Sequence, residues 1–183
     1  MVELQAETPL QGLLPRQAGS TALTEITPGA IAAIAPFAGR AGACSEALEK
    51  AGLPKLPAAG RSAGRGGARL LWAGRGQYLL LADKAPPRSL ARHGALCDQS
   101  DGWAVMALEG AAAAAVMARL CPLDLRAGVF RRGHVACSEL AHVMAVVLRL
   151  PKGFQIMVPR SFAACVAERV TTAMESVAAR HGG

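Results

Sequence analysis

The sequence predicts an α+β fold in which antiparallel sheets have their helices packed on one face. Three observations predict it. Short apolar runs at 68–73 and 77–82 flank the glycine turn Gly74-Arg75-Gly76, which is the pattern of a β-hairpin. From 162 to 177, apolar residues recur at the three- and four-residue spacing of an amphipathic helix. Predicted strands outnumber predicted helices, and each half of the chain is expected to form a ferredoxin-like unit.

The other elements are predicted from local apolar patterns and from the positions of glycine and proline. The predicted helices are 39–51, 88–94, 111–120 and a last helix with Ser161 as its N-cap. The predicted strands, besides the hairpin, are 103–108, 134–139, 142–150 and 154–158, with two short extended pieces within 21–36. The segment 52–67 has five glycines and two prolines, so it is predicted to be a loop.

Domain organisation is predicted to be simple. Residues 1–20 have mixed polarity and contain Gly12, Pro15 and Gly19, so they are read as an N-terminal arm that orders against a partner. Residues 21–183 are predicted to be a single domain, which is an ordinary length for one hydrophobic core.

Charge and cysteine usage limit the class of protein. The net charge of +7 comes from 16 arginines and 4 lysines against 13 acids, and the arginines are spread along the chain without interleaved aromatics. This favours a solvated surface or an acidic protein partner over nucleic-acid binding, although a basic RNA-binding module stays an alternative. The five cysteines form no CxxC pair, and no run is long enough for a membrane helix. We therefore expect a cytoplasmic protein with reduced thiols, no nucleic-acid partner and no membrane contact.

Two groups of residues resemble chemical sites but have simpler interpretations. Asp98 and Asp101 have the spacing of a carboxylate pair, yet such residues before a strand more often hydrogen-bond their own turn. His134, Cys137 and His142 suggest zinc, but side chains three apart on a strand point to opposite faces and a fourth ligand is missing. We predict no catalytic residue, no cofactor-binding residue and no metal ligand in this chain.

The aromatic residues are assigned to two roles. Trp72, Tyr78 and Trp103 lie in or beside predicted strands and are expected to anchor the core. Phe130 is followed by Arg131 and Arg132 in a predicted loop, and an aromatic beside arginines is the composition enriched at protein interfaces. These three residues are the predicted partner interface, and replacing Phe130 with alanine is expected to weaken assembly without unfolding the chain.

Several blocks in order resemble one known family. LLWAGRGQYLLLAD (70–83), DQSDGWAVMALEG (98–110) and ARLCPLDLRAGVFRRG (118–133) are similar to the gamma subunit of heterotetrameric sarcosine oxidase. Ala141-His142, expected to start a strand, and VPRSFA (158–163) resemble the C-terminal block of that family. The resemblance covers roughly residues 20–180. It implies a fold related to the folate-binding aminomethyltransferase of the glycine cleavage system.

The resemblance also implies a role. It is that of an accessory, non-catalytic subunit of a flavin-dependent enzyme that oxidatively demethylates sarcosine to glycine. Its partners are the alpha, beta and delta subunits, and these carry FAD, FMN, NAD and tetrahydrofolate. The alternative is a stand-alone tetrahydrofolate-binding or aminomethyl-transfer protein.

Overall fold

The computed structural model describes residues 6–181, which form eleven β-strands and three α-helices. The strands are β1 Arg16–Ala18, β2 Thr21–Ile26, β3 Ala30–Pro36, β4 Ser62–Arg65, β5 Ala68–Gly74, β6 Gln77–Ala82, β7 Gly94–Asp98, β8 Trp103–Gly110, β9 Val135–Leu140, β10 Val143–Arg149 and β11 Gly153–Pro159. The helices are α1 Ala41–Lys50, α2 Ala113–Met117 and α3 Ala163–His181. Short 3₁₀ turns lie at Arg88–Arg92 and Arg160–Phe162.

The strands form two sheets. The six-stranded sheet has the order β1-β2-β8-β11-β10-β9, and the five-stranded sheet has the order β4-β5-β6-β3-β7. Every pair of neighbouring strands is antiparallel. The predicted α+β class with antiparallel sheets is confirmed.

The two sheets are built on the same plan. In the five-stranded sheet, β3, α1, β5, β6, the 3₁₀ turn Arg88–Arg92 and β7 follow the strand–helix–strand–strand–helix–strand connectivity of a ferredoxin-like unit, with β4 added at the edge. In the other sheet β8, α2, β10, β11 and α3 repeat this connectivity, with β9 at the edge. The place that β7 takes in the first sheet is taken here by β2, which comes from the N-terminal segment.

Three layers of apolar residues hold these elements together. One lies between the two sheets and includes Ile31, Leu79, Val146 and Met157. The helices α2 and α3 pack on the outer face of the six-stranded sheet, and α1 packs on the outer face of the five-stranded sheet. Helices therefore cover one face of each sheet, as the sequence predicted, and the opposite faces meet each other.

The longest helix shows how well an amphipathic pattern predicts burial. In α3, the predicted apolar positions Val166, Val170, Ala173 and Val177 are buried against the six-stranded sheet. Phe162 was expected to share this face, and that expectation is wrong. It lies in the 3₁₀ turn before α3, where the backbone has not reached helical geometry, and its side chain is 47% exposed.

Part of the predicted N-terminal arm lies within the folded structure. Leu10 is fully buried in the core, and its backbone N–H donates to Glu25 Oε1 at 3.1 Å. Arg16–Ala18 form β1 and pair with β2. Residues 1–5 are outside the described residues.

Three segments differ from their predicted structure. Ser62–Arg65 form β4 within the predicted loop 52–67, and Gly94–Asp98 form β7, which the sequence did not predict. Ala141 and His142, expected to start a strand, instead form the two-residue turn between β9 and β10. Both have positive φ, 49° and 69°, so the turn has the type I′ geometry that suits a tight hairpin.

Candidate partner-binding surface

Phe130 belongs to the core. It is 8% exposed, its ring stacks on Phe154 at 6.5 Å between centroids, and it meets the His134 ring edge-on at 5.7 Å. The Arg149 guanidinium lies over the Phe154 ring, 4.6 Å from its centre. The chain after Pro122 folds back over the six-stranded sheet and buries most of the ring, and partner contact through Phe130 stays a prediction.

The two arginines that follow Phe130 are exposed. Arg131 donates from Nε to the carbonyl of Gly128 at 3.0 Å, which fixes the turn, and Arg132 projects from the same surface. Partner contact through Arg131 and Arg132 stays a prediction. Val129 beside them is 52% exposed, so this loop does present an apolar residue between its cations.

The loop before Phe130 is held by one strong ion pair. The Arg126 guanidinium donates from Nε to Asp124 Oδ1 at 2.8 Å and also contacts Oδ2. The pKa of the Asp124 carboxyl is lowered to about 2, first by these side-chain hydrogen bonds and then by the Arg126 backbone N–H. Both groups are exposed to solvent, so the pair orders the loop and contributes little to global stability.

Asp98 stabilises a turn, as predicted. Its Oδ1 accepts hydrogen bonds from the backbone N–H of Ser100 at 2.9 Å and from the Ser100 hydroxyl at 2.6 Å. These bonds lower the pKa of the Asp98 carboxyl. The Ser100 hydroxyl oxygen in turn accepts the backbone N–H of Ile31, which ties the turn to β3. Asp98 thus stabilises this turn and its attachment to β3.

The three residues that suggested zinc are engaged separately. Cys137 donates its thiol to the Ala73 carbonyl at 3.3 Å, and His142 Nδ1 lies 2.9 Å from Glu139 Oε1. His134 packs edge-on against Phe130. Within residues 6–181, no group of three or more such side chains has the geometry to hold a metal ion.

A cleft of about 470 Å³ opens between the two sheets, and the sequence did not predict it. Its wall on the five-stranded sheet includes five small residues on β3, β5 and β7, namely Ala33, Ala35, Ala73, Ala95 and Cys97. Facing them across the cleft are Met144, Val146, Cys137 and Trp103. Tyr78 and Trp103, expected to anchor the core, are half-buried and line this cleft.

The cleft follows from the residues that face each other. On the inter-sheet face of β3, Ile31 packs in the core while the next two inward positions are the alanines Ala33 and Ala35. The small side chains at this end of β3 do not fill the space between the two sheets, so a cleft remains. Met144 stands at the opening with 62% of its surface exposed. An alternating run that changes from large to small residues is the sequence signal that would have located this cleft.

The cleft is apolar and has no charged lining residue among those described. Its polar groups are the Gln77 and Gln99 amides, the Tyr78 hydroxyl and the thiols of Cys97 and Cys137. Burial raises the pKa of the Cys137 thiol, which makes it a poor nucleophile. This predominantly apolar set is suited to binding an apolar group.

The fold and these surfaces define a two-sheet α+β domain with an apolar cleft and, in the part of the chain described, no catalytic constellation. No family model matches the chain. It is 33% identical over 115 residues to sarcosine oxidase subunit gamma of Corynebacterium sp. (strain U-96), a match that spans 58% of this chain and 56% of the relative. The resemblance predicted from the sequence motifs is thus confirmed, over about half the length of that relative.

Comparison of structures extends the likeness to nearly the whole chain. A chain of the heterotetrameric sarcosine oxidase from Corynebacterium sp. U-96, solved with pyrrole 2-carboxylate, superposes with a TM-score of 0.79 at 24% identity, covering 94% of this chain and 96% of that one. The two chains share a fold. The regulatory subunit of aspartate kinase from Thermus thermophilus gives a TM-score of only 0.38 at 16% identity, which does not indicate a shared fold.

No helix within residues 6–181 has the length and apolarity needed to cross a bilayer.

Proposed function

We propose that this chain is an accessory, non-catalytic subunit of a heterotetrameric, flavin-dependent sarcosine oxidase. In this role it stabilises the complex through contacts with the larger subunits, while those subunits convert sarcosine to glycine. The observation that carries the proposal is the 33% identity to sarcosine oxidase subunit gamma. The fold shared with a chain of a heterotetrameric sarcosine oxidase supports it.

The chemistry of the described residues agrees with an accessory role. Asp98 and Asp124 both hydrogen-bond within turns, and full or partial burial raises the pKa values of the Cys44, Cys121 and Cys137 thiols. From the similarity to sarcosine oxidase subunit gamma, we assign FAD, FMN, NAD and tetrahydrofolate to the other subunits, and the alpha, beta and delta chains as partners. The proposal places the complex in the cytoplasm and includes the fold relationship to the folate-binding aminomethyltransferase.

The apolar cleft does not favour the alternative of a stand-alone folate protein. A folate carries a glutamate tail, and a site for it needs a cation near the bound carboxylates. The residues that line the cleft include no arginine and no lysine. The second function is therefore not adopted.

The experiment is to purify the chain alone and together with the other subunits of the sarcosine oxidase from the same organism. Alone, it is expected to show no flavin absorbance and no sarcosine-dependent peroxide formation. Co-expressed, it is expected to elute with the flavin-containing subunits in equal amount. Elution of this chain apart from an intact flavoprotein would contradict the proposal.

A further inference from the structure

Three of the four edge strands of the two sheets are covered at least in part by other segments of the chain. The outer edge of β4 contacts the segment that leads into β9. The Ser62 N–H donates to the Gly133 carbonyl at 2.9 Å, and the Val135 N–H donates to the Gly60 carbonyl. This also covers the start of β9. The remaining edge of the six-stranded sheet, β1, is three residues long and packs beside α3. Natural sheets protect their edges in these ways because an open edge pairs with other chains.

The fourth edge strand, β7, is open along its exposed half. Gln99 N–H bonds to the Ile31 carbonyl and Phe37 N–H to the His93 carbonyl, so the odd-numbered residues of this segment direct their backbone groups toward β3. In an antiparallel ladder the alternate residues direct theirs away. The N–H and C=O groups of Leu96 and Asp98 therefore point outward, and within residues 6–181 no backbone group bonds to them. The Asp98 carbonyl accepts the Cys97 thiol at 3.5 Å, a weak bond that a strand N–H can replace.

The open edge lies beside the apolar cleft. Ala95 and Cys97 are the β7 residues whose side chains line it, and both are exposed. A strand added next to β7 would place every second side chain on this same face, toward the cleft and Met144. Because no charged residue lines the cleft, the side chains that enter it must be uncharged and mostly apolar.

We propose that β7 and the cleft form one docking site, which accepts an extended segment of a partner subunit by β-strand addition. Backbone bonds to Leu96 and Asp98 would hold the segment, and its alternate apolar side chains would fill the space lined by Ala95, Cys97 and Met144. This inference rests on the proposed function, since the segment belongs to another subunit of the sarcosine oxidase. A leucine-, valine- or phenylalanine-rich extended segment has the required chemistry.

The first measurement is residue-resolved amide exchange of the chain, free and in complex with the co-expressed subunits. Strand addition predicts an alternating pattern. The amides of Leu96 and Asp98 exchange fast in the free chain and slow at least tenfold in the complex, whereas those of Ala95 and Cys97 are protected in both. Unchanged exchange at Leu96 and Asp98 in an intact complex would overturn the docking site and leave the accessory role standing. Failure to form any complex would overturn both.

The second measurement uses a matched pair of charged variants. Met144→Lys places a cation at the opening of the cleft, and Phe162→Lys places one at an exposed apolar residue in the 3₁₀ turn before α3, away from the cleft and from the Arg131-Arg132 loop. Both variants should fold with wild-type circular dichroism. We expect Met144→Lys to weaken binding to the other subunits at least tenfold and Phe162→Lys to change it less than twofold. Equal affinities of the two variants, or a small molecule bound to the free chain in native mass spectrometry, would contradict strand docking in the cleft.

Discussion

Replacing Phe130 with alanine tests whether its ring is part of the folded core. The ring is 8% exposed and contacts His134 and Phe154. Truncating a buried phenylalanine to alanine costs roughly 3–5 kcal/mol, part of it from the cavity left behind. Because the ring reaches the surface along the loop that ends at Arg131, its surroundings can partly collapse. We therefore expect the lower end of that range, about 3 kcal/mol.

Thermal and urea unfolding of the isolated chain measure this loss. In a domain of this size each kcal/mol shifts Tm by about 2–4 °C, so Phe130→Ala should lower Tm by about 6–12 °C. Val129→Ala is the matched control, since the neighbouring side chain is half exposed and its truncation should cost less than about 0.5 kcal/mol. A Phe130→Ala chain that is as stable as the wild type but no longer assembles would refute the core assignment and support the surface role expected from the sequence.

Three further predictions concern a turn, a titration and the thiols. The double variant Ala141→Asn, His142→Gly supplies the residues that a type I′ turn prefers. It should raise Tm by about 2–4 °C, which corresponds to about 1 kcal/mol. An unchanged or lower Tm would argue against strain in this turn. The Asp124 carboxyl should titrate near pH 2 by NMR and at a higher pH in Arg126→Ala, which removes the guanidinium and keeps the backbone N–H bond. Because its folded pKa is lowered, its stabilising effect is present above pH 4 and is lost as the pH falls from about 4 to 2; an equal pKa in both proteins would rule out the ion pair in solution. The exposed thiols of Cys97 and Cys165 should react with a disulfide reagent at pH 8 much faster than the other three cysteines. Comparable rates for all five would contradict the burial described.

The local sequence pattern predicted those elements in which all the sequence signals indicate the same structure. The hairpin 68–82 combines apolar runs with a glycine turn, and the structure has β5 and β6 there. The apolar period of the last helix likewise agrees with the buried face of α3. In these segments propensity, pattern and tertiary packing agree, so little beyond the local sequence is needed.

The strands β4 and β7 were missed for a physical reason. Ser62–Arg65 has glycine and polar residues where a strand pattern needs alternating apolar ones, and it is extended because it pairs with β5 and bonds to Gly133. Gly94–Asp98 is similarly extended by its pairing with β3. Long-range backbone pairing decides such segments, and a local window does not contain that information.

The candidate site was hard to predict because it depends on which faces meet. Phe130 in a loop between arginines has the composition of an interface, yet the loop folds back and its ring stacks on Phe154, 24 residues further along the chain. The cleft depends on Ala33 and Ala35 lying opposite Met144 and Val146, which requires the pairing of two sheets. Asp98 was predicted correctly because its hydrogen bonds to Ser100 are local.

The proposed role of this chain, a structural subunit of a flavin-dependent oxidase, can be tested on the assembled enzyme. The mass and composition of the complex are measured by light scattering with flavin absorbance, after all the subunits are co-expressed with and without this chain. We expect one copy of this chain per flavin-containing complex, and a complex of lower stability when the chain is omitted. A complex of unchanged mass, stability and sarcosine oxidation without this chain would rule out the structural role.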